Sequence, residues 1–295
     1  MVDLSDVTVG IKTFYRTEKL KNALESLIEL GVKEVIVADD GPEDDKKEEI
    51  YNEMSKQLPL NVLKLPYDSG LAYGRNRIVE NTRTPYLFIM DDDMEVLDRN
   101  SLIFMKQILK NNKKLGGVGG LLIENGRIRS GAHNLENRKG YVVRDVPRAI
   151  NVESANGIPF IEFDQILNVA LFRVKCFDDY SWDDYYKINF EHLDFYWGHK
   201  QLGKWKFAIT PVAFFKHNPG GNKTYKKFRF SRERYKRSKE YFLKKWNLKG
   251  VINIQMDFLH QNYSPKSVLW LWLKKHAPFR VLPYLMKIEE NWPFK

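Results

Sequence analysis

Short apolar runs bounded by polar, turn-forming residues recur through the first hundred positions. Val7-Thr8-Val9-Gly10-Ile11 reads as a buried strand, Val35-Ile36-Val37-Ala38 as a second, Val62-Leu63-Lys64-Leu65 as a third and Tyr86-Leu87-Phe88-Ile89-Met90 as the next. Between the first two, Leu20, Leu24, Leu27 and Ile28 fall on one helical face, with Thr17 placed as N-cap and Gly31 as the closing residue. A polar helix rich in Lys and Glu is expected near 43–57, and another from Gly74 to Asn81. Apolar strands alternating with helices predict an α/β fold, a mostly parallel sheet covered on both faces. In such sheets ligands bind beyond the carboxyl ends of the strands. Thr13, Arg16, Asp39, Asp40 and Asp91-Asp92-Asp93 all fall there.

Further along, 98–112 suggests a helix and 125–165 reads as hairpins and loops. Gly116-Gly117-Val118-Gly119-Gly120 reads as a close-packed turn, since no Lys-Ser/Thr follows to make it a phosphate loop. A basic helix is expected from Ser231 to Trp246, with Tyr235, Phe242 and Trp246 near one face. The tail mixes Trp270, Trp272, Phe279, Tyr284 and Trp292 with Lys and Arg. The pattern divides the chain into a main domain, 1–222, with halves 1–97 and 98–222, and an extension, 223–295.

Composition narrows this picture. At 43% hydrophobic and 14% aromatic, the 295 residues suit a globular enzyme and not a disordered chain. The lone Cys176 excludes an intrachain disulfide and a Cys-based zinc site, and makes a reducing compartment the default. The first residues lack the basic and apolar regions of a signal peptide, and no apolar run reaches the roughly 20 residues that span a bilayer. The expected location is cytoplasmic, with a peripheral place on the cytoplasmic membrane face.

The formal charge of +10 is concentrated: Lys216 to Lys249 holds 13 Lys/Arg against 2 Asp/Glu, a local +11 that leaves −1 for the rest. Such a segment suits an anionic membrane surface, an acidic acceptor, a nucleic acid, or a helix packed on the domain. Ser267-Val268-Leu269-Trp270-Leu271-Trp272-Leu273-Lys274-Lys275 joins Trp to Lys as headgroup-seeking segments do. An anionic membrane contacted through 223–295 is therefore expected ahead of nucleic acid.

Three adjacent carboxylates at the end of a buried strand repel one another and need a compensating cation. A divalent metal is the simplest, because hard cations take carboxylate oxygens. Asp39 and Asp40 end another strand, where they serve either a turn or a ligand. In Gly70-Leu71-Ala72-Tyr73-Gly74-Arg75-Asn76, glycines can admit a ligand close to the backbone at a helix start, or simply form a tight turn.

These residues together resemble inverting glycosyltransferases of the GT-A fold, broadly the family 2 type. Val7 to Leu27, Gly70 to Asn76 and Thr84 to Val96 are similar to the β-1,4-N-acetylgalactosaminyltransferase group. The resemblance covers 7–96 well, 160–220 more loosely, and does not extend past 220. It implies a GT-A fold, with Thr13, Arg16, Asp39, Asp40, Arg75, Asn76, Asp91 and Asp92 around a nucleotide-sugar donor, in the first instance a UDP-sugar. It implies that Asp91 and Asp93 form the DXD motif, with Asp93, Asp91 and His217 holding Mn²⁺ or Mg²⁺.

Glu191-His192-Leu193-Asp194 before a helix ending Lys200-Gln201-Leu202-Gly203 resembles the family's acidic motif. The family's usual Glu-Asp pair has His192 in its second place, and the His-x-acid pattern points to Asp194 as general base, with Glu191 second. The implied reaction moves a sugar to a hydroxyl of a glycan or lipid-linked acceptor. It is non-processive, because the Gln-x-x-Arg-Trp motif and channel-forming spans are missing from the sequence. The rival readings are a sugar nucleotidyltransferase, whose glycine-rich loop has no counterpart at Lys12 to Thr17, and a non-enzymatic nucleic-acid or membrane binder.

Overall fold

The computed structural model describes residues 3–145, 150–254 and 265–290; Trp292 and the side chains of Ser267, Val268, Leu271 and Lys275, which belong to the tail expected at a membrane, lie outside the described set. In chain order the elements begin β1 (Val7–Thr13), α1 (Thr17–Glu25), β2 (Glu34–Asp39), α2 (Asp45–Met54), β3 (Leu60–Lys64), α3 (Leu71–Asn81), β4 (Tyr86–Asp91), β5 (Met94–Val96) and α4 (Arg99–Asn111). They continue with β6 (Leu115–Glu124), β7 (Arg127–Arg129), β8 (Asn134–Arg138), β9 (Tyr141–Asp145), β10 (Glu153–Ala155), β11 (Ile158–Phe163), β12 (Ala170–Arg173) and α5 (Glu191–Leu202). The last are β13 (Lys206–His217), α6 (Lys223–Arg229), α7 (Arg232–Lys245), β14 (Gly250–Asn253), α8 (Pro265–His276) and α9 (Leu282–Glu290).

The main sheet runs β10-β11-β13-β6-β12-β4-β1-β2-β3, and β1, β2, β3 and β4 pair in parallel. Chain order reverses direction at β1: β2 and β3 lie on one side and β4 on the other. That switch point is where an open α/β sheet leaves a crevice at its strand ends. The register sets Lys12 beside Asp91 and Thr13 beside Asp39, so the candidate residues emerge along one edge. β12 inserts antiparallel between β4 and β6, making the sheet mixed. β14, β9 and β8 form a separate three-stranded sheet.

Both faces of the sheet are buried. Val7, Val9, Ile11, Leu20, Leu24, Val35 and Phe88 share one core; Ile36, Ile78, Leu87, Phe172, Trp182, Phe195 and Phe207 share the other. Trp182 and Phe195 stack at 4.7 Å between centroids. Each such side chain contributes about 1.5–3 kcal/mol through burial.

Four local expectations change. The first helix closes at Ser26, ahead of Gly31. Gly116 to Gly120 lie inside β6, not in a turn. A Cβ on Gly117 would sit 2.7 Å from Phe172, and one on Gly120 would sit 2.6 Å from Phe215 and 2.8 Å from the Ala213 carbonyl. The glycines make room for rings from β12 and β13. Thr17 does not cap α1; it is the first helical residue, and its Oγ1 donates to Asp44 at 2.6 Å. The helix expected from Gly74 begins at Leu71, after Gly70 at φ +107°.

The extension read from 223 begins as α6 and α7. Phe242 of α7 is fully buried in the second core, with Tyr241, Leu243 and Trp246 packed around it. Among the described residues no helix is long and apolar enough to cross a membrane.

Candidate active site

A cleft of about 450 Å³ opens at the switch point. Thr13, Arg16, Asp40, Arg75, Asp91, Asp93, Glu191 and His217 line it; Asp39, Asn76, Asp92 and Asp194 do not.

The acidic triplet is compensated from three sides. Arg16 pairs with both Asp92 and Asp93 and lies 4.5 Å over the ring of Tyr225. Arg75 donates to Asp91 at 2.8 Å. His217 Nε2 stands 3.4 Å from Asp93 Oδ2. The middle residue, Asp92, is turned inward and accepts from Thr13 Oγ1 at 2.7 Å. Burial would raise the Asp91 carboxyl, but Arg75 and Arg16 outweigh it and hold the group below its ordinary value. Burial wins at Asp92, aided by Asp93 against Arg16, and pushes its carboxyl up.

Asp93 and His217 are the cleft-facing pair suited to a divalent cation. Among the described residues no three His, Cys, Asp or Glu side chains converge as a closed metal site. The pair does fit an ion that takes its other ligands from phosphate and water, as Mg²⁺ commonly does. His217 Nδ1 is 2.6 Å from Glu124, which orients the ring and leaves Nε2 toward Asp93. Glu124 ends β6 and carries no sequence signal; only the pairing of β13 with β6 brings it to His217.

Asp39 and Asp40 separate. Asp39 faces α2, accepting from Lys47 at 3.0 Å, Tyr51 at 2.9 Å and the Gly41 amide at 3.0 Å. Asp40 reaches the cleft, bound by buried Lys12 and by the Gly70 amide at 2.8 Å. The glycine loop serves packing: a Cβ on Gly74 would fall 2.3 Å from Lys12 Cδ, and one on Gly70 would fall 2.6 Å from the Lys187 backbone. Asn76 turns away from the cleft and ties Trp182 O and Asp184 at 2.6 Å each.

The two candidate bases also separate. Asp194 is fully buried and accepts four hydrogen bonds: Tyr180 at 2.8 Å, Tyr186 at 3.2 Å, Lys245 at 2.9 Å and Trp246 Nε1 at 2.7 Å. Its oxygens are saturated, and it anchors the end of α7. Glu191, three residues earlier on α5, faces the cleft. Its Oε1 lies 3.9 Å from Arg75 Nη1, and its buried Oε2 has no hydrogen-bond partner. Burial pushes the Glu191 carboxyl above its ordinary value, against the pull of Arg75.

His192, beside it, is held neutral. Its Nε2 donates to Ile166 O at 2.5 Å. With the Asn168 amide assigned in the orientation that satisfies its neighbours, its nitrogen donates to His192 Nδ1 at 2.5 Å and its oxygen accepts from Arg75 at 2.6 and 3.0 Å. Burial, with Arg75 nearby, lowers the His192 pKa to about 3. The histidine therefore belongs to a brace that fixes Arg75 between Asp91 and Glu191.

Several cleft residues escaped the sequence reading: Lys12, Asp68, Glu124, Asn168, Tyr225, Arg229 and Arg234. Arg234 grips Asp68 at 2.7 and 2.8 Å. Tyr225, Arg229 and Arg234 lie in the basic segment, whose charge pattern gave no hint that one side of it walls the cleft.

Residues 8–181, more than half of the chain, match the family described as glycosyl transferase family 2. The chain is 30% identical over 119 residues to poly-beta-1,6-N-acetyl-D-glucosamine synthase of Staphylococcus epidermidis, covering 40% of this chain and 27% of that one. It is 31% identical over 115 residues to beta-1,4 N-acetylgalactosaminyltransferase 2 of Mus musculus, covering 39% and 21%. The chain thus matches about a quarter of the length of these curated relatives.

Among solved structures, S. aureus TarS 1-349 in complex with UDP-GlcNAc superposes with TM-score 0.57 at 12% identity, covering 95% of this chain and 78% of that one. GalNAc-T7 with UDP, GalNAc and Mn²⁺ gives 0.56 at 15% identity, covering 82% and 49%. These likenesses give the fold, a GT-A arrangement with a mostly parallel core. The match over residues 8–181 establishes that the chain belongs to glycosyl transferase family 2.

Proposed function

We propose that the protein is a metal-dependent, inverting glycosyltransferase that moves a sugar from a UDP-sugar to a hydroxyl of a glycan or lipid-linked acceptor, with Glu191 as the general base. The observation that carries this reading is an unpaired, buried carboxylate oxygen at the cleft, Glu191 Oε2, the one of its kind there among the described residues, set across from a carboxylate and an imidazole suited to a cation. The reading moves the base from Asp194 to Glu191, because a base needs a free oxygen within reach of the acceptor. All the Asp194 lone pairs facing donors are already in use.

In this scheme the acceptor hydroxyl gives its proton to Glu191 as its oxygen attacks the anomeric carbon. The bond from that carbon to the diphosphate oxygen breaks, the nucleoside diphosphate leaves, and the configuration inverts. Asp93 and His217 would hold Mn²⁺ or Mg²⁺, which would supply positive charge to stabilise the leaving diphosphate. Arg16, Arg75 and Arg229 add fixed positive charge at the cleft. Support for the donor and metal comes from the structural neighbours, one with UDP-GlcNAc and one with UDP and Mn²⁺. A screen of nucleotide sugars with Mn²⁺, followed by nucleotide release, tests the reading. Turnover that disappears in Asp93→Ala is expected; absence of turnover with every donor, together with unchanged nucleotide and metal affinity in Asp93→Ala, would reject it.

A further inference from the structure

The two sides of α6 keep different company. Tyr225, Phe228 and Arg229 line the cleft; Phe228 packs edge-on against Phe14 at 5.2 Å, and Tyr225 lies under Arg16. Lys223, Lys226, Lys227 and Phe230 fall at i, i+3, i+4 and i+7, so they share the outward side. All four are exposed. The three ammonium groups have no hydrogen-bond or ion-pair partner among the described residues. Phe230 is 73% exposed and also lies at the rim of the cleft.

An aromatic ring standing in water beside three unpaired lysines gains from one kind of surrounding: apolar just below, anionic just above. That is the boundary between phospholipid headgroups and acyl chains. We propose that this stripe docks the protein on an anionic phospholipid surface, with Phe230 entering the boundary and Lys223, Lys226 and Lys227 facing lipid phosphates. A nucleic acid would match the charge and could stack on the exposed rings of Trp272 and Tyr284, but Leu269 and Ile288, exposed on the same helices α8 and α9, are aliphatic side chains that a lipid boundary takes and bases do not.

Because Phe230 sits at the cleft rim, docking would bring the cleft mouth to the membrane, where a lipid-linked acceptor resides. That consequence rests on the proposed glycosyltransferase function; the docking does not.

Flotation of the full chain with phosphatidylcholine vesicles, with and without phosphatidylglycerol, tests it. Binding is expected only with phosphatidylglycerol and should weaken as salt rises. Each lysine near such a surface is worth about fivefold in partitioning. Loss of the three positive charges is worth on the order of a hundredfold, so combined K223E, K226E and K227E, which also reverses them, should lower partitioning by at least that much while leaving thermal unfolding unchanged. Phe230→Ser should weaken it separately, by about tenfold. Equal binding to neutral vesicles, or a triple variant that floats like the parent, overturns the proposal. So does retention on heparin that the triple variant loses when no vesicle binding occurs, which would mark the stripe as a site for a soluble polyanion. Nucleotide release is read without vesicles, so failure of the catalytic reading and failure of docking are distinguishable.

Discussion

Exchanging Asp194 for Asn and Glu191 for Gln separates an anchor from a base, because the two substitutions should fail in different measurements. In Asp194→Asn the retained oxygen can still accept from Tyr186 and Trp246, while the new amide meets Tyr180 OH and Lys245 Nζ, both donors. Removing one partner of a buried ion pair costs about 3–5 kcal/mol. Here the cost is lower, because Lys245 is 24% exposed and keeps Asp183 at 2.7 Å. We take about 3 kcal/mol, which at roughly 2–4 °C per kcal/mol lowers the melting temperature by about 6–12 °C. Any activity loss should follow the loosened α7, whose neighbour α6 walls the cleft.

Glu191→Gln removes a buried charge that lacks a close partner, so the melting temperature should hold or rise. Its rate should drop roughly 10²–10⁴-fold, the usual worth of a general base. Differential scanning fluorimetry and a nucleotide-release assay on the same preparations give both numbers. The assignment fails if Asp194→Asn melts like the parent yet loses a thousandfold in rate while Glu191→Gln stays within tenfold.

The pH dependence follows from the same carboxyl. Burial raises Glu191 above its ordinary 4.5, so the acid limb of kcat/KM should lie above pH 4.5 and vanish in Glu191→Gln. The folded protein then holds a proton that the unfolded chain has lost, and this group's contribution to stability falls as pH rises through that window. Asp68 and Asp183 behave oppositely: burial opposes ionisation, but Arg234 and Lys245 respectively pull both carboxyls below 3.8. Their support for α7 is present above pH 3.8 and lost as pH falls below it, which Trp246 fluorescence during acid titration should report. Glu124→Gln should weaken Mn²⁺ binding in the presence of UDP by about 10–100-fold, by loosening the His217 ring, as calorimetry can measure. Gly120→Ala should cost about 1–3 kcal/mol in urea unfolding, since Phe215 and the Ala213 carbonyl occupy the space a methyl needs.

The alternation of apolar runs with helical faces determined the parallel core, because each strand had to be buried on both sides. It also placed the acidic triplet at a strand end, because Tyr86 to Met90 can be nothing but buried. Those are local properties, and Thr13, Arg16, Asp91 and Asp93 could be located from them, whereas His217 came only from the family resemblance. The glycines of β6 were misread because the need for them lies in Phe172 and Phe215, remote in sequence. Asp194 and Glu191 stand three residues apart on one helix, and spacing alone could not rank them. Only packing decided: Lys245 and Trp246 arrive from α7 to saturate Asp194, while Arg75 and the cleft are what Glu191 meets. The sequence by itself determined the sheet and the strand-end chemistry, since both follow from local burial. Which carboxylate keeps a free oxygen depends on donors brought from more than fifty residues away, and that only the tertiary structure decided.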